Sequence, residues 1–436
     1  MSQIRNKIIL SLLLVIPGLL LSQKPEIQTI TAIKAGRLIE VSSQTIRKNM
    51  IILIAGKKIL WVKPASQAKI PGKARVIDLH DHTVLPGLID SHVHLTGQLE
   101  KNWRYKVFEE SAPFTALKSV QYAKRTLEAG FTTCRNVGAN EFVDVALRDA
   151  INKGYVEGPR LLVATHAIGI TGGHCDLNGF RPDVFGGPRD YRSGVADGPD
   201  EVRKAVRYAI KNGADVIKTC ATGGVLSSGD GVGATQYSLE ELKVLVEEAN
   251  KAGRRVAAHA HGTEGIKLAI RAGVTSIEHG SILDEEAVDL MLQHHTFLVP
   301  TLYVGDAVLQ MAKAGKMPDF ARRKAEKIVP LMHKSFRLAL KKGVKIAFGT
   351  DAGVFPHGQN AREFAVMVRE GMAPMQAIVS ATKTAAELLG LSDQIGSLEA
   401  GKMADIVAVP GNPLKNIHTM EKVDFVMKEG VLYKHP

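Results

Sequence analysis

The chain has 436 residues, 45% of them apolar and 23% charged, a balance that excludes disordered and fibrous classes. That length accommodates one large domain plus a smaller one, with a sizeable core. The formal charge of +12 comes from Lys and Arg spread through predicted helices, without long basic runs or a recognisable binding motif, so a solvated basic surface and no nucleic-acid partner are expected.

At the start, Arg5 and Lys7 precede an apolar run from Ile8 to Leu21, broken at Pro17-Gly18 and followed by Ser22 and Gln23. This is the order of an export signal, and the run is short for a membrane span. A cleaved signal over residues 1–23 is expected, giving a periplasmic or secreted product without stable membrane insertion; an uncleaved anchor is the alternative. No cysteine follows the run, which argues against a bacterial lipid anchor. Cys134, Cys175 and Cys220 lack close-pair spacing, so a fold without disulfides is expected. Cys134 and Cys220 fall in predicted strands, where a small buried side chain is the default.

Residues 24–85 hold short β-like runs at 27–33, 51–54, 59–62 and 75–79, and residues 396–436 hold two more at 406–409 and 423–427, with Gly and Pro marking turns. One small β-sandwich domain built from both termini is therefore expected to clasp a central domain over 86–395. In the centre, strands are expected up to His94 and at 132–137, 160–168, 215–220, 255–259, 276–279, 296–302 and 345–350. Helices are expected between them at 119–129, 141–152, 200–211, 238–252, 264–272, 284–294 and 320–342, then at 363–371, with a further one at 373–391. Ser238 and Glu241 read as a capping box. Eight strand-then-helix units predict an α/β fold, a (β/α)₈ TIM-type barrel, whose chemistry sits at the C-terminal strand ends.

The strand ends carry unusual residues. His92 and His94 are two apart, so on a strand they project together and can chelate one divalent ion. Lys218 lies in the apolar strand DVIKTC, where a charged amine is costly; it must be neutral, paired or modified, or else snorkel to the rim. A neutral lysine amine can take up CO₂ to form a carbamate, whose two oxygens can bridge two metal ions. His259 and His261 share a face in RVAAHAHG, His279 ends SIEHG, and Asp351 ends IAFGTDAG. Each alone reads as structural. Together they converge on one barrel mouth.

PGLIDSHVHL, VIKTCATGG, AAHAHG, IEHG and GTDAG, with GSLEAGKMADIVAV over 396–409, resemble the amidohydrolase superfamily. The similarity is to its imidazolonepropionase-like branch, which contains metal-dependent Xaa-Pro and Xaa-Arg type dipeptidases, and it spans nearly the whole mature chain. The resemblance implies two divalent ions, commonly zinc. His92, His94 and Asp351 would hold the more buried one, His259 and His279 the other, and carboxylated Lys218 would bridge both. His261 stands where relatives often carry a substrate-touching tyrosine. Two cations sharing a water lower its pKa, and the resulting hydroxide attacks a polarised carbonyl. Asp351 would accept the water's proton and pass it to the leaving nitrogen.

In ATHAIGITGGHCD, His174 is the implied oxyanion stabiliser and His166 a second substrate-side candidate. Arg181, Arg189 and Arg192 in the long 169–196 loop are candidates for a substrate carboxylate. The segment GGVLSSGDGVGATQ lacks a Gly-Lys-Ser/Thr ending and reads as a flexible site loop. The expected activity is hydrolysis of a dipeptide or N-acyl amino acid, in the manner of a carboxypeptidase. The alternatives are a cyclic amidohydrolase such as imidazolonepropionase, and a non-catalytic scaffold barrel. Deamination is not expected, because Gly262 occupies the glutamate's place in a His-x-x-Glu arrangement. A homo-oligomer is implied by the resemblance alone.

Overall fold

The computed structural model describes residues 29–100, 103–181, 184 and 187–436; the expected signal lies outside them. From the N-terminal part come β1 (Ile30–Glu40), β2 (Thr45–Ala55), β3 (Lys58–Pro64) and β4 (Arg75–Pro86). The central strands are β5 (Leu88–Val93), β6 (Phe131–Asn136), β7 (Arg160–Val163), β8 (Val216–Cys220), β9 (Arg255–Ala260), β10 (Ser276–His279) and β11 (Phe297–Val299). The C-terminal part adds β12 (Ile406–Pro410), β13 (Phe425–Lys428) and β14 (Val431–Lys434). Strands from the two ends form one sheet in the order β14-β13-β12-β4-β1-β2-β3. The sheet curls over its own apolar core, in which Ile33, Met50, Ile52 and Ile59 meet Ala408, Phe425 and Met427.

β4 passes directly into β5, so the small domain holds the start of the barrel in place. Gly87 makes the passage possible: a Cβ there would lie 2.2 Å from Thr132 Oγ1, and its N–H donates to the Asp405 carbonyl. β5, β6 and β7 pair in parallel, as do β8 through β11. A bridge between Ile168 and Thr219 joins the two groups.

Around them run α1 (Lys106–Glu109), α2 (Ala112–Glu128), α3 (Val143–Asn152), α4 (Gly198–Lys211), α5 (Leu239–Lys251), α6 (Thr263–Ala272) and α7 (Glu285–Gln293). They continue with α8 (Leu302–Lys313), α9 (Asp319–Lys342), α10 (Arg362–Arg369), α11 (Pro374–Val379) and α12 (Ala385–Leu389). α4 buries the stripe Val202, Ala205, Val206 and Ala209, and α5 opens on the Ser238–Glu241 capping box. The architecture is the α/β barrel with a terminal β domain that the sequence led one to expect.

Three barrel strands differ from expectation. The strand at 160–168 stops at Val163, because Thr165 turns the chain at φ 61°. The eighth strand, 345–350, is reduced to isolated bridges: Ile346 pairs with Leu298, and the Phe348 carbonyl accepts from the Ser91 N–H. These contacts and the Val93–Ala352 bridge close the barrel. The strand at 296–302 ends at Val299, and an unexpected helix, α8, starts at Leu302. Thr301 makes that turn at φ 48°, and the buried Glu363 carboxylate accepts the Leu302 and Tyr303 N–H groups at 2.8 and 2.6 Å. Capping of this kind satisfies helix-start donors that apolar periodicity does not report.

Candidate active site

β5 is buried along its whole length and delivers His92 and His94 to the barrel mouth. Behind His92 lies a charged group that sequence reasoning missed. Glu278 Oε2 accepts from His92 Nδ1 at 2.7 Å, while Oε1 meets Arg135 Nη2 at 2.8 Å and the Ser276 hydroxyl at 2.5 Å. Arg135 also donates to the Ser91 carbonyl at 2.6 Å. A carboxylate on Nδ1 fixes the tautomer that leaves Nε2 as a lone pair facing the mouth. The logic applied to Lys218 would have flagged Arg135, a cation inside the strand FTTCRN.

Asp90 is the second buried support. It accepts from the backbone N–H groups of His92 and Thr350, from the Thr350 hydroxyl at 2.6 Å and from Asn360 Nδ2 at 2.8 Å. The first strand is thereby tied to the segment that carries Asp351. Asp351 sits at φ 61° and His279 at φ 69°, both in the left-handed region that costs a non-glycine residue about 1–3 kcal/mol. Each turn points the side chain back over the cavity.

Ligand-type atoms of His92, His94 and Asp351 all lie within 4.8 Å of one another. Asp351 Oδ1 is 3.6 Å from His92 Nε2 and 3.4 Å from His94 Nε2. The ring of His279 lies 5.0 Å from that of His92 and 4.7 Å from that of His259. His279 Nδ1 is engaged by the Thr301 hydroxyl at 2.8 Å, leaving Nε2 free for a ligand. His259 Nε2 is buried with no hydrogen-bond partner, a costly state for a polar atom unless something binds it. Burial holds His92, His259 and His279 well below the usual imidazole range, and His94 down to about 4, aided by the nearby Lys218 amine. All four are thus neutral, the form that ligates metals. Burial also pushes Lys218 down to about 8, against the pull of Glu278 and Asp351, and Asp351 up to about 7, against the pull of Lys218. The donor set suits divalent cations.

These six side chains line one cavity of about 290 Å³, together with His174 and His261. His261 Nδ1 bonds to the Ser281 hydroxyl at 2.6 Å, and His174 stacks on His259 at 4.2 Å. The opposite wall is apolar, formed by Val304 and Val308 of α8 and by Ile328, Val329 and Met332 of α9. His166 is not part of this lining: its Nε2 accepts from the Glu141 N–H, and its ring packs edge-on against Phe142. Arg189 pairs with Asp176 and Arg192 with Asp190, at a separate pocket, and Arg181 is not among the residues lining the main cavity.

The disulfide-free expectation is corrected. Cys175 and Cys220 are bonded, while Cys134 is a buried free thiol. Their separation of 45 residues carries no spacing signal; the 169–196 loop folds back and brings Cys175 onto the end of β8. The disulfide lines the cavity beside His174 and Lys218.

The amidohydrolase family model matches residues 83–433. Ochratoxinase of Aspergillus niger is 36% identical over 429 residues, covering 93% of this chain and 87% of that enzyme. Among solved structures, a Xaa-Pro dipeptidase with methionine bound in its active site superposes with a TM-score of 0.90 at 44% identity, covering 93% of this chain and all (100%) of that one. A prolidase complexed with N-methylphosphonate-L-proline gives 0.84 at 33% identity, covering 94% and 100%. The chain belongs to the amidohydrolase family and is a hydrolase acting on amide bonds.

Proposed function

We propose that this protein hydrolyses the amide bond of a dipeptide or an N-acyl amino acid that carries an apolar group, using two divalent metal ions. The observation that carries the reading is that His92, His94, Lys218, His259, His279 and Asp351, from five strand ends, line one cavity whose far wall is apolar. His92, His94 and Asp351 would hold one ion and His259 and His279 the other. Lys218, partly neutral near pH 8, is suited to become the carbamate that bridges them. When bound, the ions, zinc in this reading, would supply the Lewis acidity that activates a water and polarises a carbonyl.

Asp351 Oδ1 lies 3.6 and 3.4 Å from the two first-strand histidines, and burial pushes its carboxyl up to about 7, so its ionised form is placed to take a proton from the attacking water and return it to the leaving nitrogen. His174 and His261 are the remaining groups available to hydrogen-bond the substrate, and α8 and α9 would receive its apolar part. The likeness to a Xaa-Pro dipeptidase and to a prolidase supports an amide substrate of this kind. Export through the 1–23 segment belongs to the same reading; the Cys175–Cys220 disulfide supports it, because such bonds persist in oxidising compartments. N-terminal sequencing of the secreted or periplasmic protein tests that part.

The activity is tested with metal-loaded protein on a panel of Xaa-Pro dipeptides, N-acyl amino acids and imidazolones. Turnover of the first two classes, lost in Asp351→Asn with the fold retained, is expected. Ring opening of the imidazolones alone would replace this reading with a cyclic amidohydrolase. Purified protein with neither metal nor carbamate and no turnover would leave only a scaffold.

A further inference from the structure

Behind His174, a part-buried polar chain of Ser227, Asp230 and Lys324 has no part in the reading above. His174 Nδ1 lies 2.7 Å from the Ser227 hydroxyl. That hydroxyl lies 2.7 and 2.8 Å from the two Asp230 carboxylate oxygens. Lys324, on α9, donates to Asp230 Oδ1 and to the carbonyls of Gly224 and Ser227, each at 2.8 Å. From the other side, the Gln236 carbonyl oxygen accepts the His174 N–H, and the Gly224 N–H bonds Asp230 Oδ2. Gly224 itself leaves the room: a Cβ there would lie 2.2 Å from the His174 ring.

The direction of the chain follows from proton counting. Asp230 beside Lys324 can only accept, so the single Ser227 proton goes to Asp230. The Ser227 oxygen must then accept, and His174 must donate from Nδ1. Nε2 is the nitrogen left for the cavity that His174 lines.

We propose that Ser227, Asp230 and Lys324 are positioning residues that fix the orientation of His174, holding Nδ1 as the donor to Ser227 so that Nε2 is the ring atom that meets the substrate. The oxyanion contact expected of His174 from sequence would then depend on this relay. Because Lys324 shares α9 with Ile328, Val329 and Met332 of the apolar wall, the helix that would receive the substrate's apolar group also holds the loop behind His174. The kinetic part of the proposal rests on the amide-hydrolase reading; the Nδ1 proton does not.

The test uses the full-length zinc-loaded protein labelled with ¹⁵N-histidine, with His174→Asn to assign the resonance. The expected wild-type signature is a hydrogen-bonded proton on His174 Nδ1, lost in Ser227→Ala and Asp230→Asn and kept in Ser227→Thr. With the dipeptide cleaved fastest, Ser227→Ala and Asp230→Asn are expected to lower kcat about 10- to 100-fold with little change in KM. Ser227→Thr should restore kcat, and Asp230→Asn should cost nothing further in a His174→Ala background. A wild-type ring with no proton on Nδ1, a signature unchanged in Ser227→Ala, or losses that multiply in the double variant would each overturn the proposal. Absence of any amide turnover in the wild type would instead defeat the functional reading, and the ring signature would still decide the relay.

Discussion

Replacing Glu278 by Gln keeps the side chain's volume and removes its charge, and the effect can be divided between folding and metal binding. In the wild type one fully buried carboxylate serves Arg135, Ser276 and His92, none of them more than 1% exposed. Without it, Arg135 keeps the Ser91 carbonyl and the Ser276 hydroxyl but has no counter-ion. Breaking a buried pair on one side costs about 3–5 kcal/mol. The amide has one acceptor oxygen for three donors, so either His92 or Arg135 together with Ser276 faces an NH₂ group. His92 then loses the partner that fixes its tautomer, and losses of this kind weaken metal affinity about 10- to 100-fold. Urea unfolding of the metal-free protein reads the first cost, and competition with a zinc chelator reads the second. A second substitution separates them: Glu278→Gln with Arg135→Met removes both charges and should recover much of the stability, while zinc affinity stays low. Unchanged zinc affinity in the single variant, or recovery of both quantities in the double, would refute the claim that Glu278 orients a metal ligand.

Burial raises Glu363 to about 8 in the fold, against the Tyr303 and Leu302 N–H groups, from an ordinary value of 4.5. Between those values the unfolded chain has released a proton that the folded one retains. Stability should therefore fall as pH rises through that window, by about 1.4 kcal/mol per unit. Glu363→Gln should flatten the dependence, and parallel pH curves of the urea midpoint for the two proteins would contradict it. Replacing Cys175 and Cys220 together by Ala should cost about 2–4 kcal/mol of stability, because their bond closes a long loop. The wild type, and not the double variant, should lose stability on adding reductant.

How much could be read from the sequence depends on where each constraint originates. The convergence of His92, Lys218, His259, His279 and Asp351 was legible because a parallel barrel turns chain order into position: whatever ends a strand stands at the mouth. Lys218 was legible by the cost of burying an amine between Ile217 and Cys220. Arg135 and Glu278 obey the same rule and went unread, since each looks like a strand residue of unknown partner until both are seen on one inward face. The Cys175–Cys220 bond and the place of His166 depend on how the 169–196 loop folds back, and no periodicity encodes that.

The remaining misreadings share a cause. Apolar alternation predicts strands running through Thr165 and Thr301, and a regular strand up to Thr350, where the structure turns or unravels instead. Thr165, His279, Thr301 and Asp351 all adopt positive φ near barrel-strand ends. Threonine, histidine and aspartate give no glycine-like warning of such a turn. The strain they carry is offset by contacts remote in sequence: Asp144 Oδ2 accepting the Thr165 N–H, Glu363 capping the helix after Thr301, and the His92 carbonyl accepting the Asp351 N–H. A strand continuing regularly past these points would send alternate side chains into the sheet layers; the left-handed turns at His279 and Asp351 instead bring both side chains over the cavity. The positions where local propensity fails are thus those where the backbone is bent to aim a side chain, and the bend is held by residues that only the folded chain brings near.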